Sequence, residues 1–194
     1  MDKQNINIFV ISSPSGGGKT SLIKKLLEDP RSEGTVLSIS HTTREKRLNE
    51  KDGVDYHFLS KSEFKKKINN NEFIEFEEVY GGVHYGTLKS EVENIWTNNE
   101  VALFDIDVVG GFNIKKMYPM NTLSIFVMPP SIETLRKRLI SRGDISDDEI
   151  NRRIKKAELE LDFASKFDKI IINNDLEESK KIASNLVNEF IDNE

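Results

Sequence analysis

The sequence predicts an α/β fold with a parallel five-stranded core sheet and helices on both faces. Five short runs are strand-like, most of them continuously apolar as in strands covered on both sides, and helical patterns long enough for crossovers lie between them. With 194 residues, 37% of them hydrophobic, the chain can bury one domain core. The predicted strands are Ile6–Ser12, Val36–Ser40, Val101–Ile106, Leu123–Met128 and Lys169–Asn173.

The predicted helices follow from apolar periodicity and from cap residues. In the segment after Lys19, and in the last segment of the chain, apolar residues recur on one helical face. Three further helix starts show a cap residue followed three positions later by an acid that can return the hydrogen bond. These pairs are Ser60 with Glu63, Ser146 with Glu149, and Asp175 with Glu178.

One stretch, from Tyr56 to Tyr85, interrupts this alternation of strands and helices. It contains a short strand, a Lys-rich helix and the strand-like run EFIEFEEVY. We interpret it as a lobe inserted into the core. The chain has no internal repeat and no Pro/Ser-rich linker, so a single domain over residues 1–194 is predicted.

Composition excludes several classes of function. The net charge is −5 and both signs are interspersed, which gives little support for binding nucleic acid or an anionic membrane surface. The absence of Cys excludes a disulfide framework, a thiol nucleophile and a thiolate zinc site. The apolar run Ile6–Ile11 is too short to span a membrane and has no basic lead-in, so a cytoplasmic protein is predicted. Monomer and homo-oligomer stay equally open.

A phosphate-binding loop is predicted between the first strand and the first helix. Glycines there permit a tight turn of backbone N–H groups around a phosphate, the Lys adds a charge, and the Thr offers a hydroxyl to Mg²⁺. The strict pattern GxxxxGK(S/T) has Gly where this chain has Ser13, and a plain Gly-rich connection is the alternative. The loop SPSGGGKTS comprises Ser13, Pro14, Ser15, Gly16, Gly17, Gly18, Lys19, Thr20 and Ser21.

The run VALFDID suggests the other half of this site. Asp105 lies at the end of an apolar strand, where a carboxylate can hold the water shell of Mg²⁺ beside Thr20. Strand-end aspartates are common in α/β proteins, so an ordinary surface acid is the alternative. Together with the loop, Asp105 and Thr20 are the predicted Mg²⁺ residues, acting partly through water.

Arginine is segregated in a chain that otherwise prefers Lys. Every Arg except Arg31 falls in one of two windows, Arg44–Arg47 and Arg136–Arg153. Because the planar guanidinium can bind two phosphate oxygens at once and Lys cannot, this predicts two phosphate-contacting surfaces; surface ion pairs are the alternative. In the second window a Gly follows Arg142 and a capped helix comes next, which suggests a mobile flap over a triphosphate.

These residues carry a resemblance over essentially the whole chain. The sequence resembles the guanylate kinase family of bacterial type, although GGVHYGT is one residue longer than usual and has His84 where a second Tyr is common. The motifs, in the order typical of that family, are SPSGGGKTS, SISHTTREKR, DGVDYHF, EFIEFEEVYGGVHYGT, LFDIDVVGG, SRGDISDDEINRR and IINND.

The resemblance implies a P-loop nucleoside-monophosphate-kinase fold that transfers the γ-phosphoryl group of ATP to GMP and dGMP with Mg²⁺. It implies a core of residues 1–35, 92–135 and 154–194, a GMP-binding lobe near 36–91 and a lid near 136–153. By position, the GMP phosphate would be held by Arg44, Arg47, Tyr56 and Tyr85, and guanine by Ser40, Glu75, Thr87 and Asp107. The transferring phosphoryl group would meet Arg142 and Arg153, with Arg138 and Asn173 around adenine and Lys19 and Thr20 serving ATP and Mg²⁺. The predicted catalytic residues are therefore Lys19, Arg44, Arg142 and Arg153.

Acceptor chemistry agrees with that assignment. Guanine presents N1–H beside an exocyclic amine, so one carboxylate such as Glu75 can accept both donors, whereas adenine lacks this pair. Without the family resemblance, the sequence also allows the interpretation that Glu75 is a solvated acid on a half-buried strand. A phosphate monoester already carries an oxyanion at neutral pH, so no general base is required.

Three other classes remain open from the residues. A regulatory GTPase is suggested by the DVVG match to DxxG, but the chain has no NKxD-type guanine reader. Another P-loop kinase could use a different nucleotide or a sugar phosphate. A guanylate-kinase-like protein-interaction module without turnover is the non-enzyme alternative, and such modules usually lose the P-loop that this chain keeps.

Overall fold

The computed structural model of the protein describes residues 7–141 and 146–192. The strands are β1 Ile8–Ser12, β2 Thr35–Leu37, β3 His41–Thr42, β4 His57–Phe58, β5 Phe73–Tyr80, β6 Val83–Leu88, β7 Val101–Asp105, β8 Thr122–Met128 and β9 Lys169–Ile172. The α-helices are α1 Lys19–Leu27, α2 Lys61–Asn69, α3 Lys89–Thr97, α4 Val108–Met117, α5 Ile132–Ser141, α6 Asp147–Leu161 and α7 Leu176–Asp192.

The predicted five-stranded parallel sheet is confirmed. Its strand order is β2-β7-β1-β8-β9, and helices flank it. The register places Ile8 opposite Thr122 and Ile125 opposite Lys169 in parallel ladders. Every residue of β1 is buried, as expected for a strand covered on both faces. The strand predicted to reach Ser40 ends at Leu37. Beyond it, the backbone amide of Ile39 donates to Oε1 of Glu91 at 3.1 Å instead of to a neighbouring strand.

The chain divides into two compact units. We call Ile8–Thr35 with Leu103–Glu194 the P-loop unit, and Val36–Ala102 with the residues up to Asn7 the inserted unit. The predicted core, lobe and lid boundaries remain predictions.

Helix packing and capping in the P-loop unit follow the sequence pattern. In α5 and α6, Leu135, Leu139, Ile150 and Ile154 form one buried apolar cluster. The predicted caps of the last two helices are confirmed, since Ser146 Oγ accepts the Glu149 amide at 3.3 Å and Asp175 Oδ1 accepts the Glu178 amide at 2.8 Å.

The inserted unit has its own sheet and core. Its four strands run in the order β4-β3-β6-β5, and the antiparallel hairpin β5–β6 turns at Gly81 and Gly82, both with positive φ. Ser60 is the N-cap of helix α2 and forms the predicted capping box, in which Ser60 and Glu63 exchange hydrogen bonds. The side chains of Phe64, Phe73 and Leu88 pack together beneath it.

In the part of the chain that the structure describes, no helix has the length and apolarity needed to cross a membrane.

Candidate active site

The loop between β1 and α1 has the geometry that a phosphate site needs. Gly16 and Gly18 have φ values of 92° and 100°, a region that residues with a Cβ rarely adopt. The non-glycine residues with positive φ among those described are Asn71 and Asn99, so Ser13 occupies an ordinary conformation. The Ser that replaces the expected first Gly therefore costs no backbone strain. Gly18 caps α1, so the loop amides lie at the positive end of a helix.

Lys19 is held at the start of α1 by two oxygens of the segment that ends β7. Its Nζ lies 2.6 Å from Oδ1 of Asp105 and donates to the Ile106 carbonyl at 2.7 Å. The lysine side chain keeps 18% of its exposure, and that of Asp105 keeps 23%. The ammonium group is thus fixed at the loop by oxygens of the same unit, with a face left toward water.

The predicted Mg²⁺ residues have suitable chemistry. Thr20 is exposed on the first turn of α1, and Asp105 presents a partly exposed carboxylate. Among residues 7–141 and 146–192 there is no cluster of three or more His, Cys, Asp or Glu that could hold a metal by itself. Mg²⁺ is commonly bound by one or two protein oxygens, water and substrate phosphates, so this sparse donor set fits it.

The two residues expected around adenine are joined to the loop backbone. Arg138 Nη1 and Asn173 Nδ2 donate to the Gly17 carbonyl at 3.2 and 2.9 Å. Asn173 is buried and Arg138 half-buried. A contact of either residue with adenine remains a prediction.

The described arginines of the second window lie on two helices, Arg136 and Arg138 on α5 and Arg152 and Arg153 on α6. Arg142 lies outside the described residues. Arg153 Nε donates to Oε1 of Glu149 at 2.8 Å, and Arg152 Nη2 lies 2.6 Å from the other oxygen of the same carboxylate. The Arg153 hydrogen bond holds the pKa of Glu149 below its usual value. Arg153 is therefore present as a paired cation, and its role with a phosphoryl group remains a prediction.

In the inserted unit, Arg44 is the centre of a cluster of polar side chains. Its Nε donates to the Tyr85 hydroxyl at 3.0 Å, while Nη1 and Nη2 donate to the two carboxylate oxygens of Glu50 at 3.0 and 2.7 Å. The hydrogen bond to Glu50, and after it the one to Tyr85, raises the pKa of Arg44. The same Arg44 hydrogen bond is the main cause that lowers the pKa of Glu50. The guanidinium group is thereby held in a fixed plane.

The other two residues predicted for the GMP phosphate lie near this cluster. The Tyr56 ring centroid is 5.6 Å from that of Tyr85 and 5.6 Å from the guanidinium carbon of Arg44. Arg47 is 73% exposed and reaches the Glu50 carboxylate at only 3.8 Å. The structure therefore brings Arg44, Tyr56 and Tyr85 together and leaves Arg47 extended into solvent.

The predicted guanine residues of this unit also meet. Ser40 Oγ and Thr87 Oγ1 are 3.0 Å apart and buried, and Glu75 lies opposite Thr87 in the β5–β6 register. Directly opposed residues of an antiparallel pair project to the same face, so Glu75 and Thr87 share one face of the hairpin. Tyr85 is two positions before Thr87, so it shares that face.

The longer hairpin segment lies next to an irregularity in the strand pairing. The register shifts between Glu78 and Tyr80, next to the turn, and again between Phe73 and Glu75, and Glu75 lies opposite Thr87. The effect of the extra residue on a GMP site remains open.

Asp107, the fourth predicted guanine residue, belongs to the P-loop unit. Its Oδ1 accepts the Gly110 amide at 2.8 Å and caps α4, and its backbone carbonyl accepts the Ser12 hydroxyl at 2.9 Å. These contacts give Asp107 a structural role, and its predicted contact with guanine remains a prediction.

Sequence reasoning missed Glu50 and Glu160. Glu50 follows an Arg-rich loop without a periodic pattern, and its only sequence signal is an acid close to two arginines. Glu160 lies on α6 with 9% exposure and pairs with Lys156 at 3.3 Å. Burial raises its pKa; the charge and hydrogen bond of Lys156 oppose this rise, the charge of Asp107 adds to it, and the charge of Lys19 opposes it more weakly. A buried acid at the end of an amphipathic helix gives no signal in the sequence.

A strand, a glycine loop and a helix that begins with Lys and Thr, with the lysine paired to a strand-end aspartate, define a P-loop nucleotide-binding protein. The family model for guanylate kinase matches residues 5–190. The chain belongs to the guanylate kinase family.

Curated relatives and solved structures agree with this membership. A guanylate kinase of Bacteroides fragilis is 50% identical over 184 residues, which are 95% of this chain and 89% of that protein. One from Bacteroides thetaiotaomicron is 48% identical over 96% of this chain and 91% of its own length. The crystal structure of guanylate kinase from Anaplasma phagocytophilum superposes with a TM-score of 0.78 at 35% identity, covering 96% of this chain and 87% of that one.

Proposed function

We propose that this chain transfers the γ-phosphoryl group of ATP to GMP, giving ADP and GDP, and that it also accepts dGMP. Family membership supports the reaction. The observation that carries the choice of acceptor is the shared face of β5 and β6, where the carboxylate of Glu75 lies opposite Thr87, and Tyr85 hydrogen-bonds Arg44. A purine with paired N–H donors and a phosphate monoester matches these groups in chemistry.

On the donor side, catalysis reduces to positioning and charge neutralisation. The loop amides at the start of α1 bind the ATP phosphates, and Lys19 supplies a charge that is already oriented by Asp105. Thr20 and Asp105 would hold Mg²⁺, which neutralises charge on the phosphates when it is bound. Arg142 and Arg153 would stabilise the phosphoryl group during transfer.

On the acceptor side, Arg44 with Tyr56 and Tyr85 would bind the GMP phosphate and orient an oxyanion toward ATP. Arg47, extended into solvent without GMP, would add a second cation. Their charges offset the repulsion between two anionic substrates. Glu50 would keep the Arg44 guanidinium in one plane, so that binding GMP costs little ordering of that side chain.

The alternatives have less support. The chain keeps Lys19 and Thr20, which a module without turnover does not need, and the comparisons favour neither such a module nor another small-molecule kinase. The cytoplasmic location and the absence of nucleic-acid partners expected from the sequence remain predictions.

A coupled assay of ADP formation tests the proposal. ATP and Mg²⁺ are supplied with GMP, dGMP, AMP, UMP or no acceptor. We expect rapid ADP formation with GMP, clear formation with dGMP, and rates lower by about 10⁴-fold with AMP, because adenine lacks the paired N–H donors that one carboxylate can accept. Equal rates with every acceptor or without one would indicate an ATPase, and a preference for UMP would indicate another kinase.

A further inference from the structure

The carbonyl group of Gly17 accepts hydrogen bonds from side chains of two distant segments. Asn173, directly after β9, donates through Nδ2 at 2.9 Å, and Arg138 of α5 donates through Nη1 at 3.2 Å. Arg138 also donates through Nη2 to the Asn173 carbonyl at 3.0 Å, so the two side chains are tied to each other. The Gly17 oxygen thus receives two hydrogen bonds, one of them charged.

A third residue fixes the orientation of the Asn173 amide. Ser179, on α7 and 1% exposed, donates its hydroxyl to Oδ1 of Asn173 at 3.2 Å. The Gly17 carbonyl can only accept, so Nδ2 faces Gly17, and the Ser179 hydroxyl then donates to Oδ1 on the other side of the amide. The flipped amide would place two acceptor oxygens together in a site where Asn173 is 4% exposed, which is costly.

The hydrogen bonds to the Gly17 carbonyl also fix the orientation of the Gly18 amide. A trans peptide is planar, with its C=O and N–H on opposite sides, so holding the Gly17 carbonyl sets the direction of the Gly18 N–H. That amide is one of the loop amides that precede α1, where phosphate oxygens bind. A Cβ at Gly18 would collide with Nδ2 of Asn173, so the close approach requires glycine.

We propose that Ser179, Asn173 and Arg138 are positioning residues that aim the Gly18 N–H at the phosphates of the donor nucleotide. We call these three residues the carbonyl clamp. The clamp acts on the phosphate chain and is indifferent to the base, which distinguishes it from adenine recognition by Arg138 and Asn173. The proposal rests on the phosphoryl-transfer function proposed above.

The test compares Ser179→Ala and Asn173→Ala with wild type in three measurements. These are KM for ATP and for UTP as donors, KM for GMP, and the calorimetric affinity for inorganic tripolyphosphate with Mg²⁺. We expect Ser179→Ala to raise both donor KM values by the same factor, about three- to tenfold, and to weaken tripolyphosphate equally. Asn173→Ala should have the larger effect. KM for GMP should stay at its wild-type value.

Ser184→Ala is the matched control. Ser184 is a fully buried serine on the same helix, and it donates to Oδ2 of Asp29 at 3.0 Å, away from the loop. Its replacement should lower the melting temperature while leaving donor KM and tripolyphosphate affinity unchanged. A general loss of stability would therefore not imitate the expected result.

Three outcomes would overturn the clamp. If Asn173→Ala changes the ratio of ATP to UTP efficiency tenfold while tripolyphosphate affinity is kept, Asn173 reads adenine. If Ser179→Ala matches wild type in donor KM and tripolyphosphate affinity, the amide needs no positioning. Should the buried variants fail to fold, Arg138→Met at the half-buried position removes the two donors to the Gly17 and Asn173 carbonyls, and unchanged tripolyphosphate affinity there would overturn the clamp. Absence of GMP-dependent turnover in wild type would refute the proposed function, whereas tripolyphosphate binding would still test the clamp.

Discussion

The two units of the chain hold their predicted phosphate-binding cations in different ways. In the P-loop unit, Lys19 rests on a backbone carbonyl and one carboxylate, and the loop itself offers backbone amides. In the inserted unit, Arg44 is held by two side chains, Tyr85 on β6 and Glu50 in its own loop, and by one backbone carbonyl, that of Glu45 at 2.7 Å. A site built from backbone requires a short fixed string of residues, whereas a site built from side chains can be assembled from any segments that the fold brings together.

The largest effect is expected in the P-loop unit. Lys19→Ala should lower kcat by about 10²- to 10³-fold, because it removes a preorganised charge at the transferring phosphoryl group. The variant also leaves the Asp105 carboxylate without its partner at 2.6 Å, so the melting temperature is measured alongside.

Lys25→Ala is the control, since Lys25 lies on the same helix and forms only an exposed pair with Glu177 at 3.3 Å. We expect wild-type kcat from it. Wild-type turnover in Lys19→Ala would break the comparison, because the backbone-built site would then not be the donor site.

The next effect concerns the strand-built site. Glu75→Gln keeps the size of the side chain but replaces one acceptor oxygen by a donor, so kcat/KM for GMP should fall by about 10²-fold while KM for ATP stays unchanged. Glu78→Gln is the control on the same strand, because Glu78 is 60% exposed and only 3.8 Å from His84. Loss of equal size on the ATP side would place Glu75 outside guanine recognition.

The contrast between a site built from backbone and a site built from side chains also explains which features could be predicted from the sequence. The five core strands, the capped helices and the P-loop follow from apolar runs, cap residues and one short motif, each of which is local in the chain. The outer strands β2 and β9 are less buried than the apolar runs predict, because each lies at an edge of the sheet. Glu75 and Tyr85 required the family resemblance, because a half-buried strand carries alternating acids and aromatics without any function. The Arg44–Glu50 pair depends on how a loop folds back over five intervening residues, and no local pattern specifies that.

A smaller effect should show whether Glu50 orients the Arg44 guanidinium for the phosphate or competes with the phosphate for it. Glu50 occupies the same guanidinium nitrogens that a phosphate could bind, and Glu50→Gln removes one of its two acceptor oxygens. If Glu50 holds the plane of the guanidinium, KM for GMP should rise about tenfold with kcat and ATP affinity nearly unchanged, which is the scale of one charge-assisted hydrogen bond. Steady-state kinetics with GMP varied at saturating ATP measures this. A fall in KM would show that Glu50 competes with the phosphate.

The smallest effect is on stability and belongs to the inserted unit alone. His41 is buried, stacks on the His57 ring at 4.6 Å between centroids, and has no hydrogen-bond partner for Nδ1. Burial lowers the pKa of His41 to about 4, with the charges of His57 and Lys67 acting in the same direction and those of Asp52 and Glu72 opposing it.

The sign of the pH dependence follows from that shift. Between pH 6.5 and 4 the unfolded chain binds a proton at His41 that the folded chain does not, so the stability contributed by the neutral ring is complete above pH 6.5 and declines as the pH falls toward 4. Allowing for screening by nearby water, we expect a loss of about 1–2 kcal/mol across this window. Urea unfolding at pH 7.5 and pH 5 should show it in wild type, and His41→Gln should reduce the difference. His84→Gln, at a more exposed ring outside the stack, should retain the wild-type difference. An equal difference in His41→Gln would assign the pH dependence to other groups and leave the inserted unit without a buried neutral histidine.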